Sequence, residues 1–142
     1  MPIDSTVHPV HAFFVYGTLM RGECNHAVVA RHCLTEVRTG SVRGDLFDTG
    51  AGYPAMRPTQ GPGRVYGEWL VPRDFESALK AMDALEGYAG EDDPDNLYDR
   101  RLIEVTRDDD GSHALAWVYV YAQDLPPHTR IASGRWRPTR GG

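Results

Sequence analysis

The chain has 142 residues, a formal net charge of −5 and a single lysine, Lys80, with 41% hydrophobic and 25% charged residues. Its scattered arginines form no basic stripe, which argues against a nucleic-acid partner, and no apolar run approaches the roughly 18 residues of a membrane helix. Met1-Pro2-Ile3-Asp4-Ser5 lacks the basic and apolar regions of an export signal, and the spacing of Cys24 and Cys33 builds neither a disulfide framework nor a zinc motif.

These bounds predict one cytoplasmic domain over residues 1–142, ordered from about 12 to 137, burying ~68–70% of its unfolded surface. Residues 1–10 look like a loose tail. Ala12 to Tyr16 is a short apolar run of β type and reads as a buried strand. Asn25 is a candidate N-cap for a short helix from His26 to about Cys33. From Thr35 to Asp48 the alternation is loose and glycine-rich, predicting an exposed strand that bends. Asp48-Thr49-Gly50-Ala51-Gly52 is a turn, Tyr53-Pro54-Ala55-Met56 an extended piece, and Gln60-Gly61-Pro62-Gly63 another turn. Val65 to Val71 alternates as a strand. Asp74 then caps a helix in which Phe75, Ala78, Leu79, Met82 and Leu85 share one face, stopped by Gly87. Glu91 to Asn96 is an acidic, solvated loop. Tyr98–Thr106 and Ala114–Tyr121 are strands that pair as a hairpin about Asp108-Asp109-Asp110-Gly111. The tail holds Pro126-Pro127 and then Ile131 to Trp136.

Two stretches carry chemistry. In Val15-Tyr16-Gly17-Thr18-Leu19-Met20-Arg21-Gly22 a strand breaks at a glycine, which lets the backbone turn or lie against a ligand. The amides of Gly17, Thr18 and Leu19 there are candidates to converge on an anion, the alternative being a plain tight turn. The second stretch is Met82-Asp83-Ala84-Leu85-Glu86-Gly87-Tyr88. At about 100° per residue, Phe75, Leu79, Met82 and Glu86 fall within about 60° of arc. Glu86 therefore extends the stripe that faces the core. A carboxyl aimed inward is costly unless neutral, paired or in a polar cavity, and desolvation lifts it toward the ~6–7 window of a general acid–base. Pairing with an arginine such as Arg100, or a swing to water, are the alternatives. Asp83 lies off the stripe, with capping, orienting or no role. The six histidines are dispersed, and a metal site is the weaker reading.

The sequence resembles the gamma-glutamylcyclotransferase-like family, especially its short members, from Phe13 to Trp136. The likeness rests on Val15 to Gly22, Gly52-Tyr53-Pro54-Ala55, Val65-Tyr66-Gly67-Glu68, Met82 to Tyr88, Tyr98-Asp99-Arg100 and Ser133-Gly134-Arg135-Trp136. Two positions depart: the family often has leucine at Met82 and aspartate at Arg135. The resemblance implies an α+β fold, a small mixed β-barrel flanked by helices with a cavity at its mouth. It implies cyclisation of a γ-glutamyl amide to 5-oxoproline with release of an amine or amino acid, without cofactor or metal. Glu86 would be the general acid–base, and the amides of Gly17, Thr18 and Leu19 would hold the α-carboxylate or the oxyanion. Tyr16 and Tyr98 would shape the pocket and donate hydrogen bonds, with core packing as the competing role, and Arg100 would be structural. The partner expected is a small γ-glutamyl substrate, with no nucleic acid and no membrane, on a monomer or weak homodimer. A γ-glutamyl amidase giving glutamate, and a non-catalytic member binding an amino-acid-like ligand, are the alternatives.

Overall fold

The computed structural model describes residues 10–20, 26–27, 34–90, 93–125 and 129–136. Its strands are β1 (Phe13–Val15), β2 (Leu34–Arg43), β3 (Asp45–Asp48), β4 (Pro54–Arg57), β5 (Arg64–Pro72), β6 (Tyr98–Arg107), β7 (His113–Tyr121) and β8 (Arg130–Ile131), and the helix labelled α1 spans Phe75–Glu86. Five strands close into a barrel in the order β1-β5-β2-β6-β7, and β4-β3-β8 form a second sheet. All barrel pairings are antiparallel except β1 with β7, which makes the barrel mixed. The α+β barrel expected from the resemblance is the fold observed.

β1 is apolar throughout because both of its faces are covered. Phe14 points into the barrel with Val42, Val65, Trp69, Val105 and Val118. Phe13 and Val15 point outward and meet Leu70 and the buried side of α1. The helix begins where Asp74 accepts the Ser77 amide at 3.2 Å and ends at Gly87, whose φ of 68° is a left-handed stop. Phe75, Ala78, Leu79 and Met82 are buried as the spacing predicts, but Leu85 is 40% exposed. It stands about 60° farther round the helix than Met82 allows, so Glu86 and not Leu85 continues the inner stripe.

Three further differences from the sequence reading have local causes. The bent strand of residues 35–48 is two strands, because the chain turns at Gly44 from the barrel into the second sheet. A Cβ at Gly44 would lie 2.7 Å from the Arg57 carbonyl oxygen, so only glycine fits the corner. Nor is the end of β2 exposed: Gly40, Ser41 and Val42 are buried where β2 runs between β5 on one edge and β6 on the other. Finally, Val10 and His11 are docked rather than loose. The Trp117 indole donates to the Val10 carbonyl at 3.1 Å and His11 stacks on Phe75 at 4.9 Å. Of the short helix expected at 26–33, His26 and Ala27 are helical, and residues 28–33 with Cys33 lie outside the described residues, as do Cys24 and the acids Glu91 and Asp92.

Candidate active site

The cavity that matters opens where β1 stops. Its wall includes Tyr16, Gly17, Thr18 and Leu19 from the first loop, Glu86 from the end of α1 and Tyr98 from the start of β6. All six residues singled out in the sequence thus line one cavity, although they are up to about eighty residues apart in the chain. The cavity is small, about 30 Å³, against the roughly 300–1,000 Å³ of sites that enclose a drug-sized ligand. Its volume is room for about one water-sized group.

The first loop is a tight turn, with the Met20 amide donating to the Gly17 carbonyl at 3.1 Å. Gly17 is required for a packing reason. A Cβ there would lie 2.5 Å from Pro54 Cγ, so the ring of Pro54 sits directly on the glycine backbone. His26 Nδ1 stands 2.8 Å from the Leu19 carbonyl and supports the loop from its far side.

The two tyrosines have a strapping role. The Tyr16 hydroxyl donates to the Tyr119 backbone carbonyl at 2.6 Å, and the Tyr98 hydroxyl donates to the Pro54 carbonyl at 2.6 Å. Tyr98 thereby ties β6 to β4, whereas Tyr16 ties the end of β1 to β7. Both rings are buried. Each hydroxyl proton is committed to a carbonyl, so toward a ligand these oxygens act as acceptors. The sequence reading left open whether they donate or pack; the geometry shows packing with internal donation.

Glu86 is half-buried as a residue, but its carboxyl group is the part turned inward. Burial alone lifts its pKa from 4.5 to about 7. The carboxyl is close enough to Tyr16, Tyr98 and Tyr119 to help raise all three phenols, for each of which burial is the leading cause. Those phenols stay neutral throughout the working range. The pairing of Glu86 with Arg100 weighed in the sequence does not occur. Arg100 instead forms its ion pair with Asp83, and Asp83 also accepts the Tyr119 hydroxyl at 2.6 Å. Asp83 is thus a junction between helix and barrel, which resolves its open role.

The end of α1 is fixed by backbone as well. The Tyr88 amide donates to the Asp83 carbonyl at 3.0 Å, closing a Schellman turn around Gly87. Buried Asn96 then holds the following loop, accepting from the Ala89 amide and donating to the Gly90 carbonyl, each at 2.8 Å. Among the described residues no group of three His, Cys, Asp or Glu side chains is placed to hold a metal ion, and no helix is long and apolar enough to cross a membrane.

A family profile described as gamma-glutamyl cyclotransferase, AIG2-like, matches residues 13–138. The chain belongs to this family. It is 40% identical over 127 residues to the gamma-L-glutamyl-butirosin B gamma-glutamyl cyclotransferase of Niallia circulans, covering 89% of this chain and 76% of that one. It is 34% identical to a putative gamma-glutamylcyclotransferase of Vibrio cholerae, over 89% of this chain and 95% of that one. Among solved structures, YkqA from Bacillus subtilis superposes with a TM-score of 0.63 at 25% identity, over 88% of this chain but only 39% of that longer one. An AIG2-like protein from Mus musculus superposes at 0.61 and 24% identity, over 86% and 83% of the two chains, and shows the shared fold.

Within this cyclotransferase-family cavity, sequence reasoning missed Tyr119 as a lining residue and gave Tyr53 and Pro54 no role. The Gly52-Tyr53-Pro54-Ala55 block was visible as a motif. Tyr119 carries no signal beyond its place in an apolar strand.

Proposed function

We propose that this chain cyclises a γ-glutamyl amide to 5-oxoproline, with Glu86 as the general acid–base. The substrate's α-amine attacks its own γ-carbonyl carbon, forming the ring C–N bond and a tetrahedral oxyanion. The bond to the departing nitrogen then breaks and the carbonyl reforms. The attacking amine must lose a proton and the leaving amine must gain one. Glu86 takes the first and gives it to the second, so the carboxylate is regenerated and atoms and charge balance. The ring closes within one molecule, and the protein's task is to hold the glutamyl chain bent; such orientation is worth up to about 7–11 kcal/mol in favourable cases.

The observation that carries this reading is the Glu86 carboxyl, desolvated to a pKa of about 7 and facing the same small cavity as the Gly17–Leu19 turn. A base with that pKa is matched to proton transfer near neutrality. Among the described lining residues none is lysine or arginine. The α-carboxylate or the oxyanion is therefore assigned to the amides of the turn, and Tyr16 and Tyr98 shape the wall around them. For the amine side, the likeness to the Niallia circulans enzyme supports a γ-glutamyl-capped amine.

A panel of γ-glutamyl amides, scored separately for 5-oxoproline and for glutamate, tests the proposal. 5-Oxoproline with released amine is the expected product. Glutamate as product would identify an amidase, and tight binding with no turnover of any member would identify a binding protein.

A further inference from the structure

Asp83 lies one helical turn before Glu86, and it and its partner Arg100 stand outside the proton transfer just described. They form an ion pair, with Arg100 on β6 and Asp83 on α1. The guanidinium is sandwiched between the Tyr88 ring, 4.8 Å away just past the helix end, and the Trp117 ring on β7, 5.3 Å away. Asp83 takes its second hydrogen bond from the Tyr119 hydroxyl. Tyr119 itself lines the cavity, and its backbone carbonyl receives the Tyr16 hydroxyl. One arginine thus grips the side chain and the following ring of the helix end, while its own strand and β7 belong to the barrel.

We propose that Asp83, Arg100 and Tyr119 act as a positioning network for Glu86, fixing the last helical turn against the barrel and keeping the nearby charge balanced at zero. This rests on the general acid–base reading of Glu86. Residues three apart on a helix are neighbours, so an unpaired Asp83 would set an anion beside the Glu86 carboxyl, and an unpaired Arg100 a cation. Paired, they leave burial as the cause that tunes Glu86. The other groups facing Glu86 are the neutral hydroxyls of Tyr16 at the end of β1, Tyr98 on β6 and Tyr119 on β7, and Tyr53 lines the same cavity.

The test is the pH profile of kcat/KM for 5-oxoproline release, with melting temperatures, for the full chain and for Asp83→Asn, Arg100→Met and Arg100→Lys. Asp83→Asn strands the cation, which favours the charged carboxylate, and moves the acidic limb to lower pH. Arg100→Met strands the anion and moves the limb to higher pH. Each displacement is expected to be on the order of 1 pH unit. Arg100→Lys keeps the charge and therefore the limb, while loss of the planar fork lowers kcat. Variants that lose stability and amplitude but keep the wild-type limb would reduce the pair to a structural clamp and overturn the proposal. Should Arg100→Met fail to fold, a limb that does not move down in Asp83→Asn overturns it equally. Glu86→Gln is the control that separates the two ideas. If it retains turnover, the acid–base reading fails; if it is inactive and the pair variants do not shift, only the network fails.

Discussion

In the turn between β6 and β7, Asp110 is held by the Ser112 hydroxyl at 2.5 Å and the Ser112 amide at 2.9 Å. These bonds draw its pKa down from 3.8 to about 2, although the side chain is exposed. At the other acidic region, the end of α1, Glu86 has moved the opposite way, to about 7, through burial. Both regions are written in the same residue types, Asp-Asp-Asp and Asp-x-x-Glu. The difference teaches that donors and solvent, not acidity of composition, decide what a carboxyl does. A carboxylate given donors in water becomes a fixed anion that caps a turn. One desolvated in a cavity wall without a matching cation holds its proton up to about pH 7.

The strongest way to break this comparison is Glu86→Gln. It keeps shape and removes the titrating proton, so 5-oxoproline release should fall about 10²–10⁴-fold in a protein that still folds. In the unaltered chain kcat/KM should rise as pH passes about 7, because attack needs the deprotonated carboxyl. A folded Glu86→Gln protein with near-normal turnover would place the proton carrier elsewhere.

Stability offers the next test. A carboxyl whose pKa is 4.5 in the unfolded chain and about 7 in the folded one binds more protons folded than unfolded between those limits. Its contribution is therefore full below 4.5 and is lost as pH rises through about 7, a change of up to about 3 kcal/mol. Thermal melts should show Glu86→Gln more stable than the unaltered chain above neutrality, with the gap closing in acid. A gap that stays constant with pH would mean the carboxyl is not desolvated.

Gly17→Ala sharpens the comparison from the cavity side, since it alters the wall and no carboxyl. The added Cβ meets the Pro54 ring, and such overpacking costs typically about 1–3 kcal/mol. Melting temperature and kcat/KM should both fall, while the pH at which activity rises stays put. The smallest effect is expected at the exposed turn. Ser112→Ala removes the hydroxyl donor and should let the Asp110 pKa climb back toward 3.8 in an NMR titration. The Asp110 contribution is present above its ordinary pKa and lost as pH falls through about 2, so Ser112→Ala should lower the melting temperature slightly at neutral pH, an effect kept small by the exposure of the turn and absent in strong acid, while turnover stays unchanged. A marked loss of turnover in Ser112→Ala would tie the two regions together and end their contrast.

Much of the local structure was legible before the fold. Asp74, Gly87 and the spacing of Phe75, Ala78, Leu79 and Met82 specify α1 because caps and periodicity are short-range properties. The β6–β7 hairpin follows for the same reason, from two apolar runs about a compact polar turn. The inward aim of Glu86 was legible too, as the next residue on a stripe whose direction its neighbours had set. Leu85 was misplaced on that stripe by a fraction of a turn.

The partners of these groups were decided elsewhere. Nothing near Asp83 in the chain points to Arg100, 17 residues on, or to Tyr119, 36 residues on. Tyr16 finds its acceptor 103 residues away and Tyr98 finds one 44 residues away. These choices hang on barrel closure, in which β1 lies parallel to β7 at Phe13 and Trp117, and closure is a property of the whole sheet. By itself the sequence determined the bounds of α1 and the β6–β7 hairpin, and it put Glu86 on the inward stripe and Gly17 at the end of β1, because each is a matter of local chemistry. Only the tertiary structure decided that Arg100 takes Asp83 and leaves Glu86 with burial to set its proton affinity, because that depends on which charges three-dimensional packing brings within reach.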